Sequence, residues 1–146
     1  MNRFQKIVMA MFGALLLLGS AGSVFAASDA PHRIVIQVST DDPRTQKIAL
    51  NNAVNLQKLY GMDNVKIEIV AYGPGLGLLT KKSKQAKRVE SLALQDITFS
   101  ACSNTMKKVE KKTGKKPKLL AGVGTVKAGV ARIMELQEQG YSYVRP

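Results

Sequence analysis

Apolar residues along this chain fall into short β-branched runs separated by longer stretches with helical spacing. Residues 33–38 (RIVIQV) form one such run, and Ser39-Thr-Asp-Asp-Pro43 follows it with helix-capping residues and a proline suited to the first helical position. A strand therefore turns directly into a helix. That helix is predicted over 43–60, with Ala49, Ala53, Leu56 and Tyr60 on its buried face and Gly61 as its stop. Residues 65–72 form the next strand, and its early alternation gives way to an apolar end, as expected of a strand entering a buried parallel sheet. Gly73-Pro-Gly-Leu-Gly77 breaks it.

The alternation of types continues to the C-terminus. A polar, basic helix fits 84–94, and a third strand fits 97–101 and ends at Cys102. Ser103-Asn-Thr105 opens a short helix that runs to about 112 and closes at Gly114. Residues 119–122 read as a short apolar strand, 126–139 as a helix with Val130, Ile133 and Met134 inward and Gly140 as its cap, and 141–144 as a last strand. About five strands alternating with helices, without a hairpin signal, predict a three-layer α/β/α sandwich with a mainly parallel sheet.

The first 26 residues stand apart from this pattern. Arg3 and Lys6 precede an apolar run over 7–18 broken only by Gly13, and Val24-Phe25-Ala26 offers a cleavage site. This is the pattern of a secretory signal cleaved after Ala26, since the run is shorter than the roughly 20 residues that span a bilayer. The expectation is a single domain over 27–146, exported to the periplasm and without a membrane span once the signal is removed. Charge adds to this picture: the 146 residues carry 22 Lys+Arg against 10 Asp+Glu, a net charge of +12. Cleavage removes Arg3 and Lys6 and leaves the domain strongly basic.

Cys and His occur once each. A zinc centre needs three or four Cys, His or carboxylate ligands, so a Cys-and-His metal site within one chain is excluded, as is an internal disulfide. No metal or other cofactor is expected. In an open parallel sheet, ligands collect at the C-terminal ends of the strands. That rule gathers Ser39–Asp42, Tyr72–Gly77, Cys102–Asn104 and Gly122–Thr125 on one rim, and places His32 on the other, so a Cys102–His32 dyad is not expected. Ser39, Thr40, Tyr72, Gly73, Gly75, Ser103 and Asn104 are the candidate anion- or ligand-binding residues of that rim.

Cys102 is the candidate reactive group. It sits at a strand-to-helix junction, where free N–H groups and the positive end of the helix dipole stabilise a thiolate, with Lys107 and Lys108 a turn further on. A lone thiolate without a general base suits group carriage: it can take a sulfane sulfur as a persulfide and pass it to another thiol. The competing expectation is a small buried core residue, the commonest state of a free cysteine.

The glycine motifs carry less. Gly73-Pro-Gly-Leu-Gly77 lacks the Lys and Ser/Thr of a phosphate-binding P-loop, and the Gly122–Gly129 stretch misplaces its third glycine for a dinucleotide fingerprint. Both read as turns where backbone passes close to a neighbour. The lysines form two groups, 81–88 and 107–118. With no aromatic residues interleaved to stack bases, they predict a cationic surface that steers anions rather than a nucleic-acid interface.

Taken together, HRIVIQVSTDDP, IEIVAYGPGLGLL, ITFSACSNTM and GVARIMELQEQGYSYVRP resemble the DsrE/DsrF-like family of sulfur-relay proteins, in its exported branch. The resemblance covers nearly all of 33–146. It implies a homo-oligomer built on trimers, a sulfur-carrying cysteine at Cys102, and a sulfur donor or acceptor protein as partner. The resulting expectation is an exported persulfide carrier, at most sulfurtransferase-like. The alternative is a non-catalytic oligomeric module that binds a small anion or a partner protein, with Cys102 structural.

Overall fold

The structure, a computed structural model, describes residues 32–146, so the expected signal and its cleavage site lie outside the described residues. Five strands form one sheet: β1 (His32–Val38), β2 (Val65–Ala71), β3 (Ile97–Cys102), β4 (Val123–Val126) and β5 (Ser142–Val144). Their order across the sheet is β4-β3-β2-β1-β5, and all four pairings are parallel. The helices are α1 (Pro43–Tyr60), α2 (Ala86–Ala93), α3 (Ser103–Thr113) and α4 (Gly129–Glu138), with 3-10 turns at Met62–Asn64 and Gly73–Leu79. The predicted α/β class and strand count hold. No helix among the described residues is long and apolar enough to cross a membrane.

Strand order decides which face each helix covers. From β1 to β4 the chain steps sideways in one direction, and right-handed crossovers then place α1, α2 and α3 on the same face. The step from β4 to β5 runs back across the sheet, so the same handedness places α4 on the opposite face, against β1, β2, β3 and β5. The first face holds the main core, with Ile36, Ile69, Phe99, Leu50 and Leu79 all fully buried. The second holds a smaller cluster of Val35, Val70, Ile133 and Leu136 beneath α4. One face is thus covered by three helices and the other by one.

The end signals of α1 work as read, but its buried face is Gln46, Ala49, Leu50, Ala53 and Gln57 rather than one reaching Tyr60, which is 37% exposed. Asp42 Oδ2 accepts from the Thr45 N–H and hydroxyl, both at 2.7 Å, Pro43 takes the first turn, and Gly61 (φ 84°) ends the helix. The Thr45 bonds hold the Asp42 carboxyl below its usual range.

Two further expectations change. Residues 119–122 are not a strand: Leu119 makes only an isolated antiparallel bridge to Thr80, and Gly122 turns the chain at φ 76° into β4, which runs from Val123. Apolarity there reflects packing of Leu120 into the main core rather than membership of the sheet. The last helix begins three residues later than expected and turns a different face inward. Ile133 and Leu136 are buried, whereas Val130 and Met134 are 62% and 57% exposed. An i, i+3, i+4 pattern admits either face, and the inward stripe is Gly129, Arg132, Ile133 and Leu136, with Arg132 bonded to the buried Glu68.

Candidate functional site

The two neighbouring strands β3 and β4 send their helices to opposite faces of the sheet. This is the topological switch point of the fold, where adjacent chains diverge and leave a crevice at the carboxyl ends of the strands. Cys102 is the last residue of β3 and the N-cap of α3, and pairs with Val126 at the end of β4. His32 begins β1 at the other end of the sheet and stacks on Tyr60, with ring centroids 3.8 Å apart.

The N-termini of α3 and α4 therefore both open on Cys102. Its side chain closes no conventional capping hydrogen bond of its own. Burial alone would push the thiol up, since only 5% of the residue is exposed. Against burial act the Thr105 hydroxyl and the backbone N–H groups of Thr105, Gly129 and Asn104, and these outweigh it, holding the thiol below its ordinary value of 9.0. Thr105 and Asn104 lie in the first turn of α3, where the Asn104 N–H donates to the Lys127 carbonyl at 3.3 Å and so acts on the sulfur only weakly, and Gly129 is the first residue of α4. Two helix dipoles thus favour the anion at one sulfur. Lys107 and Lys108, expected to supply part of this effect, are not among its largest causes.

Thr105 is oriented by its other neighbour. The Gly73 N–H donates to Thr105 Oγ1 at 3.0 Å, which occupies an acceptor site of the hydroxyl and leaves its proton for the sulfur. Sequence reasoning read Thr105 only as part of the helix start and passed over it as a site residue. Gly129 was also missed as a donor. A Cβ there would stand 2.9 Å from the Tyr72 ring, so only glycine lets α4 start this close to the β2 loop.

The predicted rim residues divide into two sets. Tyr72, Gly73, Ser103 and Asn104 border Cys102 in sequence or through the contacts just described. Ser39 and Thr40 follow β1 and serve its loop: Ser39 Oγ accepts from Gln37 Nε2 at 3.2 Å, and the Thr40 carbonyl accepts from Gln46 Nε2 at 3.0 Å. Gly75 is buried under that loop, and a Cβ would fall 2.1 Å from the Val38 carbonyl oxygen. This explains the Gly-Pro-Gly-Leu-Gly run as a close backbone crossing. Gly122–Thr125, placed on the rim from the misread strand, enter β4 at its far end, and Lys127, Ala128 and Gly129 take their place. Among the described residues no group of three or more His, Cys, Asp or Glu can hold a metal.

A second polar constellation fixes α4. Glu68, in the middle of β2 and 4% exposed, accepts from Ser100 Oγ at 2.6 Å and from Arg132 Nε and Nη2 at 2.9 and 2.8 Å. Arg132 lies one turn beyond Gly129. The Glu68 carboxylate raises the guanidinium above its usual value, and the fork ties the start of α4 to the sheet.

Comparison with known proteins fits this architecture. The model of the DsrE/DsrF-like family matches residues 32–146. The chain belongs to the DsrE/DsrF-like family. The family is linked to sulfur relay in general. A solved protein of unknown function from Methanobacterium thermoautotrophicum superposes with a TM-score of 0.71 at 33% identity, covering 79% of this chain and 99% of that one. Among curated proteins no match is found.

Proposed function

We propose that this DsrE/DsrF-like protein is an exported sulfur carrier that holds sulfane sulfur on Cys102. The observation that carries the reading is the convergence of the first turns of α3 and α4 on one thiol held below its ordinary value. No general base is needed for such a step. The Cys102 thiolate attacks the outer sulfur of a donor persulfide R–S–SH, a new S–S bond forms as the donor S–S bond breaks, and R–S⁻ leaves. An acceptor thiolate then attacks the outer sulfur of the Cys102 persulfide, and Cys102 departs as the thiolate that the Thr105 hydroxyl and the backbone N–H groups stabilise. The sulfane sulfur changes hands with no net oxidation. A trimer-based homo-oligomer in the periplasm, with a donor or acceptor protein docking at the crevice, completes the proposal.

The test is intact mass after incubation with a small-molecule persulfide donor. A gain of one sulfur atom, reversed by an added thiol and lost in Cys102→Ser, supports the carrier; an unmodified wild-type chain whose thiol still alkylates sinks it. The 5% exposure of Cys102 favours a second reading, a binding module in which the cysteine is structural and the N–H groups hold a small anion. Labelling kinetics separate the two: a carrier thiol labels in the native protein, a structural one only as fast as the protein opens.

A further inference from the structure

The two lysine groups that the sequence keeps apart meet around one cavity. A space of about 630 Å³ lies between the 3-10 turn Gly73–Leu79, one side of α3 and residues 115–118. Pro74, Leu76, Val109 and Pro117 give it apolar walls, and Lys81, Lys82, Lys115, Lys116 and Lys118 also line it. No Asp or Glu is among the described residues that line it. The two chain segments are joined by backbone: the Lys81 N–H donates to the Lys118 carbonyl at 3.0 Å and the Leu120 N–H to the Leu79 carbonyl at 3.1 Å. The cavity is therefore part of the folded frame rather than a gap between loose loops.

Its volume falls in the range of small-molecule sites, roughly 300–1,000 Å³. Lysine stems cover apolar surface while their ammonium groups stay in water, so the site offers an apolar interior under a cationic edge. Thr113 brings the C-terminal end of α3 to the lining, and that end carries about half a negative charge. Five lysines outweigh it, and the Gly114 N–H already caps the helix on the Glu110 carbonyl at 2.8 Å. We infer that this cavity binds an amphiphilic anion, a hydrocarbon chain that ends in a carboxylate, sulfonate or phosphate head. The inference is independent of the chemistry at Cys102.

Titration calorimetry of octanoate and decanoate into the full chain, below micelle-forming concentrations, tests it. Affinity should rise about fourfold per added methylene, fall with salt, and drop at least tenfold for decylammonium. Gly77 lines the cavity, and a Cβ there meets nothing within 4 Å. Gly77 is exposed at the edge of the cavity, so Gly77→Phe adds a ring to the lining without a backbone clash and should weaken decanoate binding at least tenfold at an unchanged melting temperature. Lys81→Ala with Lys116→Ala should weaken decanoate and flatten its salt dependence, and Cys102→Ser should leave binding intact. Vesicles of anionic phospholipid form a second arm: retention that Gly77→Phe weakens, alongside decanoate binding, assigns the head to a bilayer lipid, whereas decanoate binding without retention assigns a free amphiphile. Absence of decanoate binding, equal binding of decylammonium, or insensitivity to Gly77→Phe would overturn the inference.

Discussion

Replacing Glu68 by Gln probes the tie that holds α4, and with it the Gly129 N–H, against Cys102. The change keeps the shape of the side chain but removes its charge, and turns one acceptor oxygen into a donor facing the Arg132 fork. Breaking a well-buried ion pair costs about 3–5 kcal/mol. The Glu68 side chain is 5% exposed, but that of Arg132 is 30% exposed, so the guanidinium can turn partly into water. That relief brings the expected loss to about 2–3 kcal/mol, with the Ser100 bond to Oε1 retained. For a domain of this size the melting temperature should fall by about 8–12 °C, followed by circular dichroism and checked by denaturant titration. A double-mutant cycle with Arg132→Met isolates the pair, because the loss on Glu68→Gln should shrink by about 1 kcal/mol or more in that background. A melting temperature unchanged within error, or a loss on Glu68→Gln that is undiminished in the Arg132→Met background, would refute the assignment of this pair as the anchor of α4.

Other consequences are as specific. Thr105→Val removes the hydroxyl donor to the sulfur, so native alkylation of Cys102 near neutral pH should slow roughly tenfold, the loss of about one hydrogen bond to a charged group; an unchanged rate would remove Thr105 from the site. Gly75→Ala forces a Cβ into the Val38 carbonyl and should cost at least about 3 kcal/mol or prevent folding, whereas a well-folded variant would show that the crossing is looser than described. Gly129→Ala should push α4 off Tyr72, and both melting temperature and thiol reactivity should fall, with Tyr72→Ser in the same chain restoring part of each. The folded thiol lies below the ordinary value of 9.0, so the folded chain holds fewer protons on Cys102 than the unfolded chain between those two values. Stability should rise with pH across that window and lose the gain as pH falls through the folded value. Cys102→Ser should flatten the rise, and a slope identical in the two proteins would contradict it.

The order of elements was legible because local signals agree with the global fold: β-branched runs at β1 and β2, the Asp42-Pro43 start of α1 and the glycines at its end and after α3. Two errors have physical causes. Leu119 and Leu120 look like a strand because they are apolar and pack inward, and burial alone does not say whether a segment joins the sheet. Val130 and Met134 share the helical spacing of a core stripe, but the stripe that faces the sheet carries Gly129 and the charged Arg132, which apolar spacing does not pick out. The rim position of Cys102 could be read from strand order in sequence. Its two-helix environment could not, because it depends on β4 lying beside β3 and on α4 crossing to the other face, a long-range consequence of topology. The Glu68–Arg132–Ser100 cluster was hidden for the same reason, since Glu68 sits in what reads as ordinary alternation along β2.

The site rests on one comparison above the others, the pH dependence of Cys102 alkylation in the native and the urea-unfolded chain. The account predicts a native midpoint below that of the unfolded chain, moved upward by Thr105→Val. A native midpoint at or above the unfolded one would contradict the claim that two helix N-termini lower the Cys102 thiol below its ordinary value.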